Sequence, residues 1–376
     1  MLRDGERADH VLAELRRARA EWPGASWLAV HDAVLDIVRR RLLIEGAAAS
    51  EEPSGVLLAW HVYRDLEAPA ALGADPAIRQ RLAGLAADFR TRESIPEWLD
   101  RVGSAELGGE AWRDAVTRLN ESPRLYVRVN TLKTTRAELA ARLGASGLTT
   151  REVSGFPDAL EVESSRSLYE LPEHAEGLFE VQDAASQGVA QLLGVLPGMR
   201  VVDGCAGSGG KTLHLAALMR NRGRLLALDV DARKLETLRL RARRAGAGIV
   251  EARVVDTTKV VKRRHESADR LLLDVPCSGL GVLRRNPETK WRLSPEALDR
   301  LRELQREILR RYAPLTKPGG MMAYVTCSVL PSEGEAQVRW FLEAAGPTWR
   351  IELERRFGPP AEDTDCFYIA VLTRVC

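Results

Sequence analysis

The chain has 376 residues, too many for one small core and enough for two or three domains. With 45% apolar and 29% charged residues, and no apolar run of membrane-spanning length, it reads as an ordinary soluble globular protein. The net charge of +2 is divided unevenly: residues 1–120 carry 16 Lys+Arg against 20 Asp+Glu, and the remainder 39 against 33. A basic C-terminal part permits a polyanionic partner. The opening MLRDGERADH lacks the apolar stretch of a secretory signal, so a cytoplasmic location is expected. Five cysteines (205, 277, 327, 366, 376) form neither a disulfide framework nor a C-x-x-C pair, and the six histidines are scattered. No metal site is expected, and any special cysteine is special for reactivity.

Residues 1–110 read as a helical accessory domain, with Val34, Leu35, Val38 and Leu42 and again Ile78, Leu82, Leu85 and Phe89 at helical spacing. A small α+β unit is expected over 111–180: a strand at 125–130, a helix from Arg136 to Leu143, then strand-like pieces to Val162. From 181 to 376 apolar strands alternate with amphipathic helices. Strands are expected at 200–203, 225–229, 250–256, 271–274, 321–326 and 367–372, with helices at 211–220, 232–245 and 295–313. That alternation predicts an α/β domain with a mostly parallel, doubly wound sheet, covered on both faces. Ligands in such sheets bind beyond the carboxyl ends of the strands, so residues just after each strand carry the information.

Asp203-Gly204-Cys205-Ala206-Gly207-Ser208-Gly209-Gly210-Lys211-Thr212 runs from a strand through a glycine-rich loop into a helix, where backbone amides can meet a ligand. A phosphate-cradling G-x-x-x-x-G-K-[ST] loop competes, with Asp274 as its acidic partner. Its first glycine would have to be residue 205, which is Cys205. Asp229 closes the next strand, about 20 residues past the loop, where a carboxylate can bind the ribose hydroxyls of an adenosine cofactor. Asp231 is the better cap for the following helix, which leaves Asp229 for a ligand. Asp256 closes a further strand and could meet an adenine amino group. Asp274-Val275-Pro276-Cys277-Ser278 and Val325-Thr326-Cys327-Ser328 each place a thiol directly after an apolar strand. A buried cysteine is usually packing. Two strand-end thiols beside a carboxylate and a cofactor loop point to chemistry instead, with Lys211 able to polarise a thiolate.

From Ser94 onward the sequence resembles the RNA 5-methylcytosine methyltransferases of the Sun/Fmu group, of bacterial ribosomal RNA type. The resemblance is carried by Ser94-Ile95-Pro96-Glu97-Trp98-Leu99, Arg128-Val129-Asn130-Thr131, Gln182-Asp183-Ala184-Ala185-Ser186, Arg285-Asn286-Pro287 with Lys290-Trp291, Pro331 with Glu333 to Gln337, and the loops above. It implies a Rossmann-like class I methyltransferase fold preceded by an RNA-recognition-like unit. It also implies that residues 205–211, Asp229, Asp256 and Asp274 surround S-adenosylmethionine, that Cys327 is the nucleophile and that Cys277 assists product release. Asp274 and Lys211 complete the catalytic set. Gly207-Ser208 stands where the family has Ala-Pro, and Asp365-Cys366 where it has Asp-Gly.

By chemistry alone either thiol could attack carbon 6 of cytosine; the choice of Cys327 follows from the resemblance. RNA contacts are expected at Arg128, Asn130, Arg284 and Arg285. The expected partner is ribosomal RNA before transfer RNA, without metal or membrane, and with the protein a monomer. The chain's end soon after its last strand adds an expectation of no C-terminal RNA-binding appendix. Two alternatives stand beside this reading: a P-loop-like NTPase, and a catalytically silent RNA-binding assembly factor.

Overall fold

The computed structural model describes residues 8–50, 52–164, 166–359 and 361–375. They fall into two compact units, Met1–Ser122 with Val282–Pro295, and Pro123–Gly281 with Glu296–Cys376.

The first unit is helical, its longer helices spanning Ala8–Ala18, Gly24–Arg39, Arg41–Ala48, Pro53–Tyr63, Ile78–Ala86, Glu97–Leu107 and Gly109–Leu119. Ile44, Ala47, Leu58, Ala59 and Ile78 form one of its buried clusters. The expected boundary at 110 moves to Ser122. Trp112 is the reason: it is fully buried, donates from Nε1 to Asp100 at 2.8 Å, and fills the space beside Gly103. A second revision concerns Val282–Pro295, expected in the catalytic domain but packed with the helices. There Lys290, fully buried, donates to the carbonyls of Arg39 (2.9 Å) and Glu93 (3.1 Å) and to Asn120 Oδ1 (3.1 Å). Trp291 Nε1 donates to the Val38 carbonyl at 2.8 Å.

In the second unit, β1 (Tyr126–Val129), β2 (Thr149–Glu152), β3 (Ala159–Glu163) and β4 (Phe179–Val181) make an antiparallel sheet in the order β2-β3-β1-β4. The helix Arg136–Ala145 packs on it, opened by a reciprocal Thr135–Glu138 capping box. Leu139 and Leu143 bury against Val127, Leu160 and Phe179.

The larger sheet comprises β5 (Arg200–Asp203), β6 (Arg224–Asp229), β7 (Val250–Val254), β8 (Ala268–Asp274), β9 (Thr316–Thr326), β10 (Trp349–Phe357) and β11 (Phe367–Arg374), in the order β10-β11-β9-β8-β5-β6-β7. The β9-β8-β5-β6-β7 block is parallel, and β11 and β10 add antiparallel neighbours at one edge. The chain starts in the middle at β5, builds outward to β7, then crosses back to β8. The strand order therefore reverses between β5 and β8, the point beyond whose carboxyl ends ligands bind in sheets of this kind. Two strands differ from expectation. β7 stops at Val254, leaving Asp256 on the following loop, and β10 was not anticipated. Among the described residues no helix is long and apolar enough to cross a membrane.

Candidate active site

The loop after β5 turns into the helix Gly210–Leu218 through Gly209, whose φ of +90° belongs to the left-handed region. A Cβ there would also lie 2.7 Å from Leu238. Asp229, at the end of β6, fastens this loop: Oδ2 accepts from the Gly207 amide and Oδ1 from the Asp231 amide, both at 2.8 Å. Asp231 caps the helix Ala232–Ala245 by accepting from the Arg233 and Lys234 amides, as its position in sequence indicated.

Lys211, on the first turn after the loop, reaches Asp274 at the end of β8, with Nζ to Oδ2 at 2.6 Å. Burial opposes the ammonium charge, but Asp274 outweighs it and the Lys211 pKa is raised. Behind this pair, Asp203 Oδ2 accepts from Thr212 Oγ1 at 2.7 Å, and burial pushes the Asp203 carboxyl up to about 7. Cys205 is held as a thiol: burial, then the carboxylates of Asp203, Asp274 and Asp229, push its pKa well up.

The two strand-end thiols meet. Cys277 Sγ and Cys327 Sγ lie 3.3 Å apart, both half-buried. Cys327 also acts electrostatically on Lys211 and adds to its upward shift, after Asp274. Cys277 is pushed up by its hydrogen bond with Cys327, by burial, by the Cys327 charge and by the Glu333 carboxylate. Gly281 closes the loop after Cys277: its amide donates to the Cys327 carbonyl and its carbonyl accepts from the Cys366 amide, each at 2.9 Å. A Cβ at Gly281 would stand 2.2 Å from the Cys366 oxygen.

Of the residues singled out by sequence, 205–211, Asp229, Asp274, Cys277 and Cys327 converge at the carboxyl edge of the sheet. Asp256 sits exposed on the loop beyond β7. The expected RNA contacts need correction. Arg128 is buried, donating from Nη1 to the Gly210 carbonyl at 2.5 Å and to Gln182. It buttresses the glycine loop from behind. Asn130 is buried too, donating to the carbonyls of Gly177 (2.7 Å) and Ala245 (2.8 Å). Arg284 is buried in the helical unit, where it meets the Arg118 carbonyl at 2.8 Å and Glu121 at 3.0 Å. Arg285, half-buried, lies on the same segment. Sequence reasoning passed over Ser278, Ser328 and Gln305 as parts of the site, and knew Glu333 only through the resemblance. The repeated Cys-Ser dipeptide was the available signal.

Strand order, glycine loop and strand-end acids together define a Rossmann-like methyltransferase fold. Residues 190–373 match the 16S rRNA methyltransferase RsmB/F family, and residues 95–169 match an RsmF/B-like ferredoxin-like domain. A probable ribosomal RNA small subunit methyltransferase B of Synechocystis sp. is 40% identical over 69% of this chain and 58% of its own length. The ribosomal RNA small subunit methyltransferase B of Shigella flexneri is 30% identical over 88% of this chain and 76% of its own. A solved methyltransferase homolog protein from Pyrococcus horikoshii is 26% identical with a TM-score of 0.66, covering 80% of this chain and all of that one. The chain belongs to the RsmB/F methyltransferase family, and it spans somewhat more than half the length of the Synechocystis relative.

Proposed function

We propose that this chain transfers a methyl group from S-adenosylmethionine to carbon 5 of a cytosine in RNA, through a covalent adduct on Cys327. Ribosomal RNA is the preferred substrate, since the similar proteins carry that name, with transfer RNA second and the protein acting as a monomer. One observation carries the reading: two strand-end thiols lie 3.3 Å apart at the carboxyl edge of the sheet that also carries the Lys211–Asp274 pair.

The residues fit the cofactor. Nothing lies within 4 Å of where a Cβ on Gly207 would stand, so the loop backbone is open to a ligand. Asp229, half-exposed at the strand end, has the acceptor chemistry that ribose hydroxyls need. Residues 205–210 would line the bound cofactor, with Asp229 and Asp256 toward the adenosine. When bound, S-adenosylmethionine supplies an electrophilic methyl group.

Carbon 5 of cytosine is a poor nucleophile. Addition of the Cys327 sulfur at carbon 6 forms an S–C bond and moves electron density to carbon 5 and nitrogen 3. The charge arising at nitrogen 3 is negative, so within the Lys211–Asp274 pair the ammonium would offset it, while the Asp274 carboxylate would accept from the amino group of the base and orient the ring. Once carbon 5 carries the methyl group, its proton leaves to water. The S–C bond then breaks, and the electron pair returns to the Cys327 sulfur. The Cys277 thiol, kept protonated by its surroundings, hydrogen-bonds to that sulfur and eases its departure. The base must be unpaired or flipped out of its helix.

The test is mass-spectrometric mapping of 5-methylcytosine in ribosomal and transfer RNA incubated with the protein and cofactor. Cys327→Ala abolishes both turnover and RNA crosslinking, whereas Cys277→Ala accumulates a conjugate that survives denaturing electrophoresis. The reverse pattern would exchange the two roles. Absence of 5-methylcytosine from every RNA tried would end the reading.

A further inference from the structure

We infer that Glu333 is a positioning residue, which ties the loop bearing Cys277 to the loop bearing Cys327 and so sets the separation of the two sulfurs. Its consequence for turnover rests on the reaction proposed above; its geometry does not.

Glu333 closes the short turn Pro331–Glu333, and its side chain is fully buried. Uncharged donors converge on its carboxylate. Oε1 accepts from the Ser278 amide at 2.8 Å and from Gln305 Nε2 at 3.0 Å. Oε2 accepts from Ser278 Oγ at 2.5 Å and from Ser328 Oγ at 2.6 Å. The two hydroxyls are themselves 3.2 Å apart. In each loop the residue held is the one immediately after the thiol. Gln305, also buried, donates to the Pro276 carbonyl at 3.0 Å as well, so Cys277 is gripped from both sides.

A buried carboxylate is costly unless its oxygens are satisfied, and an apolar residue would fill the space more cheaply. What a carboxylate adds is pure acceptor capacity, about four lone-pair sites for four converging donors. Glutamine fills the same volume but turns an NH2 toward two of them. The acid is therefore explained by the joining of two loops that the chain separates by 50 residues.

The test compares Glu333→Gln and the milder Ser328→Ala with the wild-type full-length chain. The readout independent of RNA is disulfide exchange with oxidised glutathione. The thiolate of one cysteine displaces one glutathione to form a mixed disulfide. Attack by the other thiolate releases the second glutathione and leaves the Cys277–Cys327 bond, which peptide mass mapping quantifies after alkylation. The expected result is a fall of about tenfold in the effective concentration of the pair in Glu333→Gln and a smaller fall in Ser328→Ala. Turnover should drop in step, while affinity for S-adenosylhomocysteine stays near wild type. If Glu333→Gln fails to fold, Ser328→Ala alone decides. An unchanged effective concentration would overturn the inference, and so would loss of turnover with unchanged exchange. Weakened exchange in a protein whose wild type methylates no RNA would support the positioning role and sink the proposed reaction.

Discussion

Replacing Lys290 with methionine is the most direct probe of the segment that leaves the catalytic sheet to fold with the helices. The side chain keeps its length and volume but loses its donor. The Arg39 and Glu93 carbonyls and Asn120 Oδ1 then lose a partner inside a buried pocket. Three buried acceptors left unpaired cost about 1–3 kcal/mol each, and relief of the burial that holds the Lys290 pKa well below its usual value offsets part of that, leaving a net loss of about 3–5 kcal/mol. A domain's whole stability is about 5–15 kcal/mol, so the loss is a large share of it. At about 3–5 °C per kcal/mol for a unit of this size, the helical unit should melt about 10–20 °C lower. Hydrogen exchange followed by mass spectrometry locates the effect. Protection should fall in the helices Gly24–Arg39 and Gly109–Leu119 and in residues 282–295, and hold in β5, β8 and β9. A melting temperature within about 2 °C of wild type would show that the buried Lys290 amino group is not what secures this segment.

Three further outcomes follow from the site. Asp229→Ala removes the acceptor of the Gly207 and Asp231 amides. Calorimetry should then show S-adenosylhomocysteine binding weakened about 10- to 100-fold, the value of charge-assisted hydrogen bonds of about 1.5–3 kcal/mol. Gly281→Ala drives a Cβ to 2.2 Å from the Cys366 oxygen and 2.9 Å from the Cys327 oxygen. Both are main-chain atoms, so the Cys327 backbone must shift, and turnover should be lost with cofactor affinity retained. Asp203 has its folded pKa raised from 3.8 to about 7, so the folded state binds the extra proton. Its stabilising contribution is full below the unfolded value and is lost as pH rises through about 7. The stability of Asp203→Asn relative to wild type should therefore climb between pH 4 and 8, and a pH-independent difference would refute the assignment.

The parallel strands could be read directly because burial on both faces makes them continuous apolar runs, as in Leu271-Leu272-Leu273 and Met322-Ala323-Tyr324-Val325. The edge strand β10 gave no such signal. Arg350, Glu352, Glu354, Arg355 and Arg356 put charge on most of its length, where an edge has solvent to hold it. The helix Ala184–Leu192 was invisible for the opposite reason: residues 184–190 are small or neutral and all buried, so no polar face marks a period. The expectation at Arg284 misled because a basic cluster is ordinarily solvated, and nothing nearby in sequence shows that the oxygens holding Arg284 and Lys290 come from residues 39, 93 and 118–121.

The catalytic edge lies between these cases. Each cysteine was legible from its strand, but their meeting was not, because it depends on β8 and β9 being neighbours and on a carboxylate reaching both loops. Cys277-Ser278 and Cys327-Ser328 repeat a dipeptide whose serine has no evident use alone. Once Glu333 is seen to accept from both serines, the repetition has a physical reason: two loops can be held at a fixed spacing by one acceptor only if each offers it a donor. The same logic accounts for the charges around the thiols. Lys211 comes from the helix after the glycine loop and Glu333 from the turn after β9, so both charges that act on the pair come from elements other than the cysteines' own strands.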